Sequence, residues 1–460
     1  MFIFLKHIIF FIVKNRLYSI IFFGDKMNLY IILGIAILSI LGMFICILKY
    51  PALKIINVTI DTFFIPVLIG AIILLMLPLF NKNSIWNVLF SDSTLNPLKI
   101  LVLFICVSIL SISLDESGFF KYIATIFIKK YNKSQIMLFI VLYILISFLT
   151  IFTSNDIVIL TFTPFILYFS KKGNINPIPY LVMEFVAANT YSMILAIGNP
   201  TNIFLSSAFN ISFIDYFIKM LIPALLAGIF SFIALMILFH KDLKKKINVF
   251  DLDNPKIENK FICITSGIHL ILCTILLTIS NYISLEMWLI CLIFASSLLI
   301  FLIGYSIKTK KKRYLRSVLR RIPYSLIPFV ISMFIIIMAL TDVGLFKIIR
   351  GCFDQINNEY LKSIAYLASS TLSCNVMNNI PMTLAYSSIL EGTSNLKLVY
   401  STIIGSNIGA ILTPVGALAG IMWIRLLKNN NIKYSFLNFF KNGSFILFFI
   451  LIGEAIALLI

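Results

Sequence analysis

The stretch AIGNPTNIFL, Ala196–Leu205, places the residues GNPTN in the middle of a strongly apolar run. Proline has no amide hydrogen to donate and glycine resists the helical conformation, so we expect the helix to unwind between Ile197 and Thr201. In lipid, an unsatisfied backbone group costs several kcal/mol, so such a break is tolerated only inside protein or beside a wet cavity. There the helix ends present partial charges, and Asn and Thr side chains add neutral ligands.

The composition around this stretch is that of a membrane protein. Of the 460 residues, 60% are apolar and 12% are charged. A bilayer core about 30 Å thick needs about 20 apolar residues per helix. Runs of this kind lie at 28–48, 61–80, 98–114, 178–209, 213–239, 261–279, 284–307, 322–340, 396–427 and 444–460, and two polar-broken runs surround Asn155 and Asn375. The runs do not alternate as barrel strands would. We predict an all-α polytopic membrane protein with about 10–12 transmembrane helices.

The net charge of +19 comes from clusters of Lys and Arg between the apolar runs. All of these clusters can face one side if the spans are threaded in order, and basic loops stay cytoplasmic. The excess of positive charge is therefore explained by basic loops on the cytoplasmic side of the membrane. No nucleic-acid partner is predicted. We predict a multi-pass protein of a bacterial plasma membrane.

The seven cysteines are an odd number without a CxxC pair, and the three histidines are scattered. Neither a disulfide framework nor a metal site is indicated. Two interpretations stay open for residues 1–26, which are an extra helix or an extension that precedes a start at Met27.

The chain resembles itself in three blocks that recur in the same order at nearly one offset. These blocks are LDESGFFKYI (114–123) with LTDVGLFKII (340–349), TSN (153–155) with SCN (373–375), and Asn189 and Gly198 with Asn407 and Gly416. We predict a first repeat at 27–241, a basic cytoplasmic linker at 242–260 and a second repeat at 261–460.

The charges beside the two TSN-like blocks predict that the repeats have opposite orientations. Lysines flank the Asn155 block at both ends, whereas acidic residues flank the Asn375 block. Each block therefore reads as a re-entrant hairpin, one entering from the cytoplasm and the other from outside. Inverted repeats with broken helices at the midplane are typical of secondary transporters.

Two hairpin tips and two discontinuous helices can enclose one polar site at the middle of the membrane. The alternative is that the same Asn, Ser and Thr side chains only join helices while Gly and Pro permit close packing. The candidate substrate- or ion-binding residues are Ser154, Asn155, Asp156, Asn189, Gly198, Asn199, Thr201, Asn202, Cys374, Asn375, Asn378, Asn379, Asn407, Thr413 and Pro414.

Several motifs resemble the arsenical pump membrane protein family, and the likeness runs from about Asn28 to near the end. They are TSNDIVILTFTP, AIGNPTNIF, NNIPMTLA, GSNIGAILTPVGALAGIMW and LDESGFF. That family belongs to the ion transporter superfamily, which also holds divalent-anion/sodium symporters, citrate transporters and sodium/proton antiporters. The resemblance implies an inverted-repeat fold with two re-entrant hairpins and two discontinuous helices. It also implies a homodimer, an elevator-like motion and, in some members, an arsenical pump ATPase subunit.

The hairpin tips narrow the choice of substrate. Dicarboxylate symporters of the superfamily carry Ser-Asn-Thr there, but this chain has Ser154-Asn155-Asp156 and Cys374-Asn375-Val376. A carboxylate at Asp156 would repel a dianion and would suit a proton or sodium ion. No Arg or Lys lies in either motif core, which favours a neutral substrate such as the hydroxides of arsenic(III) and antimony(III). A thiol at Cys374 suits a soft metalloid, although a lone Cys in an apolar helix is usually a small hydrophobic residue.

We therefore predict a secondary active ion transporter that exports arsenite or antimonite against the proton gradient. A sodium-coupled citrate or dicarboxylate symporter and a sodium/proton antiporter of the same fold are the alternatives. The chain has no HExxH or Walker A motif, so neither an enzyme nor a self-contained ATP pump is expected. No cofactor is predicted besides Na⁺ or H⁺ as the coupling ion.

Overall fold

The structure is a computed structural model, and it describes residues 23–50, 52–55, 58–90, 96–131, 133–247, 256–280 and 283–459. The prediction for residues 1–26 falls almost entirely outside these ranges. So does the middle of the predicted linker, residues 248–255.

The described chain is almost wholly helical. In chain order the helices are α1 (Phe23–Lys49), α2 (Phe64–Met76), α3 (Lys82–Phe90), α4 (Pro97–Glu116), α5 (Phe119–Tyr131), α6 (Gln135–Phe152), α7 (Asn155–Gly173), α8 (Ile178–Tyr191), α9 (Pro200–Ala208), α10 (Phe213–Leu243), α11 (Lys260–Thr278), α12 (Met287–Thr309), α13 (Arg313–Arg321), α14 (Leu326–Asp342), α15 (Leu345–Phe353), α16 (Glu359–Met377), α17 (Asn379–Ile389), α18 (Leu396–Ile408), α19 (Leu418–Asn429) and α20 (Phe436–Ala457). Single 3₁₀ turns at Ala196–Gly198 and Gly409–Ile411 follow α8 and α18.

Eight helical segments of the described chain are long and apolar enough to cross a membrane. They include α4, α6, α10 and α20, and two further apolar helices at Phe64–Met76 and Leu396–Ile411 are shorter. The predicted all-α polytopic membrane class is confirmed.

The region after the first span differs from the prediction. A two-stranded antiparallel hairpin, β1 (Ala52–Ile55) and β2 (Val58–Asp61), pairs Ala52 with Asp61. The apolar run at 61–80 then holds only the 13 residues of α2. Leu77 is extended at φ −88° and ψ 142°, as expected for the residue before a proline, and so the helix ends there.

The described chain has ten helices in each half, so that α1 corresponds to α11, α2 to α12, and so on to α10 and α20. Helix partners are exchanged between these two halves. Helix α4 packs against α12 as α14 packs against α2, α7 packs against α19 as α17 packs against α9, and α10 packs against α20. A twofold relation between the halves would give this exchange. The opposite membrane orientations of the two repeats stay a prediction.

The helix breaks lie near the predicted positions, with one correction at the first break. Helix α8 already ends at Tyr191, and α9 restarts with Pro200 in its first turn, where a missing amide hydrogen costs nothing. The unwound segment is therefore Ser192–Asn199. At the second tip the break falls at Asn378, with φ 74° and ψ 156°, and Asn375 lies in the last turn of α16.

Candidate functional site

The helix break of the first half and the end of α18 in the second half meet at the side chain of Asn407. Its Oδ1 accepts a hydrogen bond from Asn199 Nδ2 at 2.9 Å, and its Nδ2 donates to Asn202 Oδ1 at 2.7 Å. The end of α18 therefore contacts both ends of the predicted GNPTN break. All three asparagines are at most 1% exposed, so the amides form a buried contact between the halves.

One hydroxyl–hydroxyl bond and one amide–carbonyl bond extend this contact. Ser406 Oγ donates to Thr201 Oγ1 at 3.1 Å, and Asn202 Nδ2 donates to the backbone oxygen of Ser192 at 2.9 Å. The second bond satisfies a carbonyl that the unwound segment leaves without a helical partner. We call Ser192, Asn199, Thr201, Asn202, Ser406 and Asn407 the amide cluster.

Gly198 is needed because the unwound segment folds back on itself. A Cβ atom at this position would lie 2.1 Å from the backbone oxygen of Ser192. No real Cβ approaches an oxygen so closely, so any larger residue would displace the turn that presents Asn199.

The first hairpin tip joins the amide cluster through Asn189. Asn155 Nδ2 donates to Asn189 Oδ1 at 3.1 Å, and Asn189 Nδ2 donates to the backbone oxygen of Phe185 at 2.8 Å. The Ser192 hydroxyl lies 3.2 Å from both the Asn189 backbone oxygen and Asn407 Oδ1. These contacts connect the tip between α6 and α7 with the contact between the halves.

The second tip holds the unwound segment that follows α18. Asn375 Nδ2 donates to the Gly409 backbone oxygen at 2.8 Å, and Thr413 Oγ1 donates to Asn375 Oδ1 at 2.6 Å. Asn378 Nδ2 donates to the backbone oxygen of Val415 at 2.9 Å. Each tip therefore bonds to the discontinuous helix of its own half.

The remaining candidates at this tip take part in backbone packing. Asn379 donates its backbone N–H to the Gly416 oxygen at 3.1 Å. Pro414 lies against Gly420, where a Cβ would be 2.4 Å from the proline oxygen. Cys374 is fully buried, and its Sγ lies 3.2 Å from the Thr371 oxygen. The thiol therefore packs inside the helices.

A cavity of about 1170 Å³ opens beside the first tip. Of the predicted site residues, only Ser154 and Asp156 line it. The Ser154 hydroxyl is buried and has no hydrogen-bond partner among the described residues. Asp156 lies in the first turn of α7, where the helix dipole favours a negative charge. The structure thus divides the predicted set into a packed amide interior and two residues, Ser154 and Asp156, that line the cavity.

The other walls of the cavity come from distant parts of the chain. Arg425 of α19 lines it and pairs with Asp61 of β2 at 3.0 Å. Arg321 lines it as well and pairs with Asp115 and Glu116 at 2.6 and 2.7 Å. The motif cores contain no basic residue, but basic residues from α13 and α19 line the same cavity as Asp156.

Sequence reasoning missed these basic residues because it assigned them to topology. It also missed Ser192 and Ser406, which complete the amide cluster. A usable signal for Ser406 was its place directly before Asn407. For Ser192 the signal was a small polar residue just ahead of the Gly-Pro break. No group of three or more His, Cys, Asp or Glu side chains that could hold a metal ion occurs in the part of the chain that the structure describes.

Comparison with known proteins identifies the family of this chain. The profile of a family described as "Citrate transporter" matches residues 62–397. The chain belongs to this family. It is 24% identical over 397 residues to the arsenical pump membrane protein of Escherichia coli K12, and the match covers 82% of this chain and 88% of that protein. The arsenical pump membrane protein of Yersinia enterocolitica is 24% identical, with 78% and 83% covered. A 46 kDa membrane protein of Mycobacterium leprae is 22% identical, with 82% and 88% covered.

Family membership and the eight apolar helical segments establish the broad function. The protein is a multi-pass membrane ion transporter, and the predicted bacterial plasma membrane agrees with its bacterial relatives.

Proposed function

We propose that the protein exports arsenite or antimonite in exchange for protons. Relatives that carry the name arsenical pump membrane protein cover about four-fifths of the chain, as the 82% match to the Escherichia coli K12 protein illustrates.

The observation that carries the proposal is the pair Ser154 and Asp156 on the wall of the large cavity. Asp156 is an ionisable group at a helix break, where a proton can bind and leave from the cavity. The Ser154 hydroxyl has an unused hydrogen-bonding capacity beside it. In this mechanism, protonation of Asp156 and binding of the metalloid hydroxide would compete for one region of the cavity.

The experiment uses everted membrane vesicles from a strain without its own arsenite exporters. An imposed proton gradient should drive arsenite accumulation by the wild type, and cells should gain arsenite tolerance. Asp156→Asn should remove the dependence on the gradient. Asp242→Asn should not, because Asp242 pairs with Lys245 at the end of α10, away from the cavity. Proton-driven accumulation that is unchanged in Asp156→Asn would refute the coupling role.

A sodium-coupled citrate or dicarboxylate symporter is the second candidate. The basic residues on the cavity wall, including Arg316, Arg320 and Arg425, favour it because they would attract an anion. Sodium-dependent uptake of labelled citrate or succinate, with no effect on arsenite content, would favour this alternative. Sodium-driven proton movement without either substrate would instead identify a sodium/proton antiporter.

A homodimer, an elevator-like movement and an arsenical pump ATPase subunit stay predictions from the family resemblance. Crosslinking of the protein in native membranes tests the dimer. Co-purification with the ATPase, when both are expressed together, tests the subunit.

A further inference from the structure

Helix α13 has the sequence RYLRSVLRR and connects the membrane spans α12 and α14. Its residues Leu315, Arg316, Leu319 and Arg320 line the large cavity, together with Lys312 just before the helix. These positions follow the i, i+3, i+4, i+7, i+8 spacing of one helix face. Tyr314 and Val318 are buried on the other side. The helix therefore presents a face of alternating cations and leucines to the cavity.

Three cations of this face have no acidic partner within the residues that the structure describes. Neighbouring arginines have acidic partners, since Arg313 pairs with Glu258 at 2.8 Å and Arg321 pairs with Asp115. Across the described chain, no ion pair is found for Lys312, Arg316 or Arg320. The acidic residues of the cavity wall are Asp61, which pairs with Arg425, and Asp156. The wall near α13 therefore has an excess of positive charge.

The rest of the wall is mainly apolar. Side chains of α2, α4, α7, α12, α14 and α19 contribute, among them Phe64, Phe104, Leu160, Ile303 and Leu418. A small hydrophilic anion would use the cations but would leave this apolar surface without a partner. A molecule with an anionic head and hydrocarbon chains would use both.

We propose that this cavity binds an anionic phospholipid, with the phosphate held by Arg316 and Arg320 and an acyl chain along the apolar wall. Arginine suits this role because its planar guanidinium donates two parallel hydrogen bonds to phosphate oxygens. Basic pockets between membrane helices on the cytoplasmic side are a known setting for acidic lipid headgroups. Arg316 and Arg320 line the same cavity as Ser154 and Asp156, so the lipid would share this space with the transported ion.

The test is native mass spectrometry of the purified full chain with phosphatidylglycerol or phosphatidylcholine of the same acyl chains. The wild type should retain phosphatidylglycerol in preference to phosphatidylcholine. A basic residue near an anionic lipid contributes about a fivefold gain in affinity, so Arg316→Gln with Arg320→Gln should weaken binding roughly 25-fold. Arg316→Lys with Arg320→Lys keeps the charges and should retain at least part of the preference. Retention in this variant would attribute the loss in the Gln variant to the removed positive charges.

The matched control is Lys310→Gln with Lys311→Gln, which removes two exposed charges nearby that do not line the cavity. It should bind phosphatidylglycerol as the wild type does. An equal loss in the control would overturn the proposal, because the attraction would then come from the whole basic surface. Displacement of the lipid by millimolar inorganic phosphate would also overturn it, since the ligand would then be a free anion. Equal retention of both lipids would exclude recognition of the headgroup charge.

Discussion

Replacing Asn407 by alanine should weaken the contact between the two halves. Its side chain takes part in four hydrogen bonds of 3.2 Å or shorter, to Ser192, Asn199, Asn202 and the Ile403 backbone oxygen. The first three partners belong to the opposite half. The side chain is fully buried, so water cannot replace the lost partners without entering the interior.

The magnitude follows from those three bonds between the halves. A hydrogen bond between membrane helices contributes about 0.6 kcal/mol on average, so their loss should lower the free energy of unfolding by roughly 2 kcal/mol. Asn199 Nδ2 has Asn407 Oδ1 as its hydrogen-bond acceptor. If this donor stays buried without a partner, the total should rise to about 4 kcal/mol.

The assay is equilibrium unfolding in mixed micelles, with Asn199→Ala, Asn407→Ala and the double variant as a thermodynamic cycle. We expect a coupling energy of about 0.5–1.7 kcal/mol between the two positions. Asn430→Ala is the matched control, because Asn430 Nδ2 bonds only the Leu426 oxygen one turn earlier on an exposed surface. Its cost should stay within about 0.5 kcal/mol. If Asn407→Ala behaves like Asn430→Ala and the coupling is zero, the amide cluster does not hold the halves together.

Two further changes test the packing of the break and the wall of the cavity. Gly198→Ala should destabilise by at least about 2 kcal/mol or prevent folding, because its Cβ would meet the Ser192 oxygen at 2.1 Å. Gly304→Ala has no atom within 4 Å of the new Cβ, and it should be neutral or stabilise α12 by up to about 1 kcal/mol, as thermal unfolding would show. Arg425→Gln should cost less than about 1 kcal/mol, because its partner Asp61 is 35% exposed and the pair is partly screened. A larger cost that is independent of salt would contradict that estimate.

The breaks in the helices could be predicted because their causes are local. Pro200 and Gly198 act through their own backbones, so the sequence places the interruption within a few residues. The helix was predicted to unwind from Ile197, but it already unwinds at Ser192, about five residues earlier. A proline in the first turn begins a helix, so Pro200 marked the restart of the helix and not its end. The predicted second tip included both Asn375 and Asn378, and the structure places the break at Asn378.

The grouping of charges could not be predicted in the same way. Arg316, Arg320 and Arg425 are far from Asp156 in sequence, and each has a sufficient topological explanation. Their place on one cavity wall depends on how α13 and α19 pack against α4 and α7. That packing is a property of the whole chain, and no spacing within one segment encodes it.

The sequence alone determined that this chain is a membrane protein, where its helices are interrupted and which polar residues lie at those interruptions. Hydropathy and the backbone chemistry of Gly and Pro act over a few neighbouring residues, so they can be read from any single segment. Only the tertiary structure decided that Asn407 binds Asn199 and Asn202 and that Ser154 and Asp156 face a cavity walled by remote arginines. Those contacts join residues about 200 positions apart, and they exist only once the two halves pack together.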